Sequence, residues 1–198
     1  QEDQIAIING DDHQAKTWLN NWPSKQPVIV YGRTSVINQY QAYVKASEIV
    51  HSKHGASFKL QTHLGDIAIE SRLLGDFNID NLLASISVLI AKKISLPDIS
   101  TAVAALTPIT GRMEAYFQEN RPTTVVDYAH TPDALKNAIQ ACRLHCHGQL
   151  WVVFGCGGDR DNGKRALMGE IAEQWADKVV ITNDNPRTEK PQSIINDI

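Results

Sequence analysis

The sequence predicts an α/β protein, and three observations carry that expectation. Apolar positions first alternate in short runs and then recur at spacings of three and four. After Pro108 and Gly111 strand-like and helix-like segments follow one another in strict turn. The 198 residues are 42% hydrophobic, 21% charged and 7% aromatic, a composition that supports a packed core and excludes a disordered or fibrous chain.

The elements follow in order. Ile5 to Ile8 reads as a short apolar strand, Asn9-Gly10 as a turn, and Asp12 to Leu19 as a helix. Val28 to Tyr31 is a second strand. From Glu48 to Leu73 the apolar residues Ile49, Phe58, Leu60, Ile67 and Ile69 alternate around Gly55 and Gly65, the pattern of antiparallel hairpins with one wet face. From Asp76 to Lys93 the period changes. Phe77, Leu82, Leu83, Ile86, Leu89 and Ile90 form a stripe, predicting a helix buried on one side. A second helix runs from Pro97 to about Leu106.

Beyond Gly111 the segments are strand Thr124 to Tyr128, a helix capped by Thr131 with Pro132 at its first position, and strand Leu150 to Phe154. A Gly-rich loop, a helix from Lys164 to Trp175, strand Lys178 to Thr182 and a helix from Pro191 complete the chain. This alternation predicts a parallel sheet whose ligands gather at the carboxyl ends of the strands, where Asp127, the Gly155 loop and Asn183 to Arg187 fall. The change of grammar places a hinge at Pro108 to Arg112, with one domain over residues 1–109 and another over 110–198. Tryptophans and leucines are expected in the core.

Charge and cysteine use narrow the function. The net charge is −3, with 19 basic and 22 acidic residues split almost evenly about Thr110, so neither half is a basic nucleic-acid module. No apolar run reaches the ~18 residues of a membrane span, and no targeting segment is visible, so the expectation is a cytoplasmic protein without membrane insertion. The three cysteines, Cys142, Cys146 and Cys156, read as reduced thiols. With His145 and His147 they invite a zinc reading, but a second ligand pair is missing and no metal site is assigned. Gln1 at the start and an unfinished helix at Ile198 suggest a segment of a longer chain.

Four places could carry chemistry. The loop Gly155 to Arg165, GCGGDRDNGKR, follows a strand and opens a helix, where backbone N–H groups and the helix dipole hold anions. It contains G-x-x-x-x-G-K from Gly158 to Lys164, but Arg165 stands where a nucleotide P-loop needs Ser or Thr, and Asp159 and Asp161 would repel a wrapped phosphate. What remains is an anion site with Arg160 and Lys164, or a tight turn with solvated charges. Asp127-Tyr128-Ala129-His130 could accept from ribose and flank a base, or act as helix-entry cap and surface loop. Asp184, Asn185 and Arg187, in DNPR, together match a zwitterionic amino acid, or an Asx-Pro turn. Asn78 and Asn81 share a helix face and could read an adenine edge, or serve as caps.

Taken together, GRMEAYF, DYAHTPDAL, GCGGDRDNGKR and DNPR, with AIINGDD at Ala6 to Asp12 and LGDFNIDNLLAS at Leu74 to Ser85, closely resemble the Mur ligases that build the peptidoglycan stem peptide. The resemblance spans essentially the whole chain. It implies the later part of a central ATP-binding domain with a mixed sheet, then the start of a Rossmann-like domain that binds the incoming amino acid. It also implies an ATP-dependent ligase of the bacterial cytoplasm that uses Mg2+ and joins meso-diaminopimelate to UDP-N-acetylmuramoyl-L-alanyl-D-glutamate. By the same carry-over Asn78, Asn81, Arg112, Asp127, Tyr128, His130 and Lys164 are nucleotide contacts, and Arg160, Asp184, Asn185 and Arg187 form the diaminopimelate site. No catalytic or metal-ligating residue is assigned. The family's phosphate loop of GTNGKT type, its carbamylated lysine, its UDP-binding domain and its last C-terminal motif are not found, so the chain is expected to hold half an active site. Folylpolyglutamate synthetase, which shares the architecture, and a binding module without turnover are the alternatives.

Overall fold

A computed structural model describes residues 4–23 and 25–198, which fall into two compact units, 1–107 and 108–198. The first unit is built on a five-stranded mixed sheet in the order β1 (Ala6–Asn9), β2 (Val28–Gly32), β3 (Tyr43–Ser52), β4 (Gly55–Thr62), β5 (Gly65–Ser71). β1, β2 and β3 run parallel, with Ile8 opposite Val30 and Val30 opposite Tyr43. β3, β4 and β5 are the antiparallel hairpins that the alternation predicts, with Phe58 opposite Ile69. β3 starts five residues earlier than the alternation suggests, because Tyr43 to Lys45 pair with β2. That pairing is non-local and leaves no periodic signature.

Helix α1 covers Ala15–Asn20, α2 Asp76–Ala91 and α3 Leu96–Ala105. α1 opens three residues later than expected, since Asp12 accepts from the N–H of Gln14 and holds a turn there. α2 lays Ile79, Leu82, Leu83, Ile86 and Ile90 on Val44, Ala46, Phe58, Leu60 and Ile69 of the sheet, and α3 adds Ile99 and Val103. Each such side chain removed from water contributes about 1.5–3 kcal/mol before the cost of ordering it. Phe77 is the exception on the predicted stripe: at 40% exposure it sits outside the core.

The second unit departs from the single parallel sheet read from its alternation. Parallel pairing is confined to β8 (Trp151–Phe154) and β9 (Lys178–Ile181), while β7 (Thr124–Val126) pairs antiparallel with β6 (Glu114–Tyr116). β6 has three residues and no buried one, so it carries no pattern to read. Helices α4 (Pro132–His145), α5 (Gly163–Trp175) and α6 (Pro191–Asp197) contribute Leu135, Ile139, Met168, Ala172 and Ile194 to a core shared with Cys156. The expectation for tryptophan fails here and in the first unit: Trp18 and Trp151 are 57% exposed, and Trp175 lies under the Lys136 ammonium. Leu64 and Leu167 are exposed as well.

The cap of α4 is as read. Thr131 Oγ1 accepts from the N–H of Ala134, Pro132 occupies the first turn, Asp133 sits at the positive end of the helix dipole, and Arg143 and His145 sit at its negative end. Thr131→Ala is therefore expected to lower stability by about 1 kcal/mol with Thr131→Ser close to the parent, read from urea denaturation midpoints. Among the described residues no helix is long and apolar enough to cross a membrane.

Candidate functional site

The parallel pairing of β8 and β9 ends both strands at the same edge, so the loops that follow them run side by side. They touch closely. A Cβ on Gly155 would stand 2.2 Å from the carbonyl oxygen of Thr182, and one on Gly158 would stand 1.9 Å from that of Pro186. These glycines let two backbones meet, a use that the reading of a phosphate-wrapping loop did not include. Gly158 N–H donates to the carbonyl of Asn185 at 2.9 Å, and Arg187 Nη1 donates to the carbonyl of Gly158 at 2.5 Å. Asn185 Oδ1 accepts from Arg187 N–H at 3.3 Å.

The structure thus brings Arg160, Asp184, Asn185 and Arg187 to one loop seam, all four of them exposed residues. Two guanidinium groups, a carboxylate and an amide there can hold two carboxylates and an ammonium. Asp159 and Asp161, both exposed, accept hydrogen bonds from the loops themselves. Asp159 accepts from Thr188 Oγ1 at 2.7 Å and from Thr188 N–H at 3.1 Å, and Asp161 accepts from Gly163 N–H at 2.9 Å.

From the sequence Arg165 figures only as the residue that spoils a P-loop. It is 1% exposed and sits on the buried face of α5, donating to Glu189 and Asp197 at 2.7 to 3.0 Å. The signal was its phase, since Arg165, Met168 and Ala172 lie at helical spacing on one buried stripe. Its side-chain bond, and then the N–H of Asp159, hold the Glu189 carboxyl below the usual range. That contribution is complete above the ordinary glutamate pKa and is lost as pH falls through the lowered one.

At the end of β7 a second cluster gathers. Asp127 uses both carboxylate oxygens on backbone, accepting from Met113 N–H and Ala129 N–H at 2.9 Å. It is therefore not the cap of α4, which is Thr131, and it fixes the chain next to Arg112. The Arg112 guanidinium carbon stands 4.7 Å from the centroid of the Tyr128 ring, whose neighbour is the His130 ring at 5.2 Å. Lys164, in the first turn of α5, donates to the carbonyl of His130 at 2.7 Å and so links this cluster to the Gly-rich loop. A cation over one ring, a second ring set edge-on to it and an acid nearby suit a flat heterocycle with hydroxyls attached.

In the first unit Asn78 and Asn81 bond to each other, Asn81 Nδ2 donating to Asn78 Oδ1 at 3.2 Å, while Asn78 Nδ2 donates to the carbonyl of Leu74. Neither caps α2, whose N-cap position is Gly75. The face beside them is braced by residues the sequence reading did not single out. Arg33 pairs with Asp76 at 2.7 Å and Asp80 at 3.1 Å, and Asp11 accepts from the N–H groups of Arg33 and Thr34. Burial pushes the Asp80 carboxyl above its ordinary range, with Arg33 pulling the other way. An apolar hollow of about 710 Å3, lined by Ile5, Val28, Leu64, Ile90 and Leu96, opens at the opposite ends of β1 and β2.

Among the described residues no three His, Cys, Asp or Glu side chains gather to hold a metal ion. Burial, ahead of the charges of Asp127 and Cys146, pushes the Cys142 thiol up to about 11, far from the thiolate a zinc site needs.

Residues 1–89 match the profile of the Mur ligase middle domain, and residues 111–198 that of the Mur ligase, glutamate ligase domain. Among solved structures the chain is 40% identical to a UDP-N-acetylmuramoyl-L-alanyl-D-glutamate–2,6-diaminopimelate ligase, with a TM-score of 0.72 over 98% of this chain and 39% of that one. The UDP-N-acetylmuramoylalanyl-D-glutamyl-2,6-diaminopimelate–D-alanyl-D-alanyl ligase of Acinetobacter baumannii is 18% identical, with a TM-score of 0.69 over 93% of this chain and 40% of that one. A Mycobacterium tuberculosis folylpolyglutamate synthase, solved with ADP, is 20% identical, with a TM-score of 0.65 over 96% and 41%. The last two share the fold. The chain spans about two fifths of the length of each of these proteins.

Proposed function

The chain belongs to the Mur ligase family, and from that membership we propose that it is the middle-to-C-terminal part of an ATP-dependent ligase joining meso-diaminopimelate to UDP-N-acetylmuramoyl-L-alanyl-D-glutamate. The observation that carries the substrate is the loop seam. Arg160 and Asn185 suit the α-carboxylate of an amino acid, and Asp184 and Arg187 suit an ammonium and a second carboxylate at its far end. The 40% identity to a ligase named for that substrate supports the same choice.

In this reading ATP phosphorylates the D-glutamyl γ-carboxylate. The diaminopimelate amine attacks the acyl phosphate through a tetrahedral intermediate, forming the amide and releasing phosphate. What the chain itself contributes is positioning and charge. Asn78 and Asn81 read the adenine edge, Asp127 faces the ribose, Arg112, Tyr128 and His130 flank the nucleotide, and Lys164 stands near its phosphates. Mg2+, which the resemblance implies, finds no three-ligand cage among the described residues, and no step here passes through it.

The test is phosphate release by the full-length ligase carrying this chain, supplied with ATP, the UDP-muramoyl dipeptide and one of meso-diaminopimelate, lysine or glutamate. Release that depends on diaminopimelate is expected. In a parallel reaction with a folate acceptor in place of the dipeptide, release that depends on glutamate would transfer the chain to the folylpolyglutamate branch. The 198-residue chain alone is expected to turn over no ATP above a heat-killed control, because its G-x-x-x-x-G-K lacks the following Ser or Thr.

A further inference from the structure

Asn185 and Arg187 bond to Gly158 across the seam, but they are not the only residues that join the two loops. Arg160 directly follows Asp159, and Arg187 directly precedes Thr188, and further bonds between the two loops run through these neighbours. Thr188 Oγ1 and N–H both donate to the Asp159 carboxylate. Asp159 N–H donates to Glu189 Oε1 at 2.6 Å. Glu189 then accepts a two-pronged guanidinium from buried Arg165, with Nη2 to Oε1 at 2.8 Å and Nη1 to Oε2 at 3.0 Å, while Nη1 also reaches Asp197 at 2.7 Å. The chain of contacts starts on the rigid first turns of α5 and ends between the two loops.

Both loops also hold a non-glycine residue in the left-handed region, Asp159 at φ 53° and Arg187 at φ 50°. Such backbone persists only where surrounding contacts over-determine it. A buried charged group bonded through both terminal guanidinium nitrogens supplies that constraint, since the two-pronged geometry fixes direction as well as distance.

We propose that Arg165, Glu189, Asp159 and Thr188 form a positioning relay that sets the spacing of Arg160 against Asp184 and Arg187, and so sets affinity for the amino acid without touching it. The relay rests on the reading of these loops as the diaminopimelate site. Thr188 is exposed and separate from buried Arg165, so Thr188→Val removes one bond to a carboxylate and leaves the fold intact.

The experiment measures kcat and KM for meso-diaminopimelate and for ATP in the full-length ligase carrying this chain, with thermal unfolding alongside. Thr188→Val is expected to raise the diaminopimelate KM roughly tenfold, the effect of losing one charge-assisted hydrogen bond, with the ATP KM and Tm unchanged. Thr188→Ser, which keeps the hydroxyl, is expected to restore the KM to within about twofold. Glu189→Gln, which sets an amide N–H against Arg165, is expected to raise it further. If Thr188→Val leaves the diaminopimelate KM unchanged while Arg160→Ala raises it, the relay is overturned and the site stands. If Arg160→Ala and Arg187→Ala leave it unchanged too, the site reading itself is overturned. A rise in both KM values by equal factors in Thr188→Val also overturns the relay, because only a general loss of order acts on both substrates alike.

Discussion

Arg187→Ala in the full-length ligase is expected to lower kcat/KM for meso-diaminopimelate by ten- to a hundredfold while changing lysine use far less. The two amino acids differ by a carboxylate at the far end, and only diaminopimelate can engage a planar fork there. Loss of a charge-assisted hydrogen bond is worth about 1.5–3 kcal/mol, which is where the factor comes from. Part of the Arg187 fork is already committed, since Nη1 donates to the carbonyl of Gly158 and the side chain lies over Gly157. The measurement is kcat/KM for both amino acids at saturating ATP. Equal losses for the two, or a change confined to the KM for ATP, would remove Arg187 from the distal pocket.

Gly158→Ala is expected to cost about a hundredfold in the same quantity. Its Cβ would stand 1.9 Å from the carbonyl oxygen and 2.7 Å from the carbonyl carbon of Pro186, both backbone atoms that no rotamer change can move aside. To reach ordinary contact the Pro186 peptide has to retreat by more than ~1 Å, carrying Asn185 and Arg187 with it, and a displacement of that size costs about 10²-fold in a positioned reaction. Gly148→Ala is the control, because nothing lies within 4 Å of its Cβ. Its kinetics are expected to match the parent. A Gly158→Ala enzyme within twofold of the parent would show that the loop seam yields without consequence.

Some of this arrangement is legible in the residues alone. Thr131 and Pro132 start α4 because a hydroxyl acceptor and a fixed φ do so wherever they precede an amphipathic run. Gly55 and Gly65 turn the hairpins, and the spacing of Ile79, Leu82, Leu83, Ile86 and Ile90 makes α2. The residue types along Arg160, Asp184, Asn185 and Arg187 suit carboxylate and ammonium chemistry, or an Asx-Pro turn, before any fold is known. Local order and chemical inventory are properties of neighbours in the chain.

Pairing is not. β6 escaped notice because three half-wet residues have no period, and the parallel start of β3 depends on β2 across a loop. Trp18 and Trp151 were expected inside because burial is usual for their kind, whereas exposure depends on what the rest of the fold lays over them. Asp127 reads from the sequence as a possible cap of α4, and its oxygens instead hold Ala129 and Met113, the latter fourteen residues away. Arg165 shows the division most plainly. Its phase on α5 was written in the sequence, but a buried guanidinium is tolerable only with carboxylates around it, and those lie 24 and 32 residues further on at Glu189 and Asp197. Which charges meet is decided by the path of the chain, and only the tertiary structure contains it.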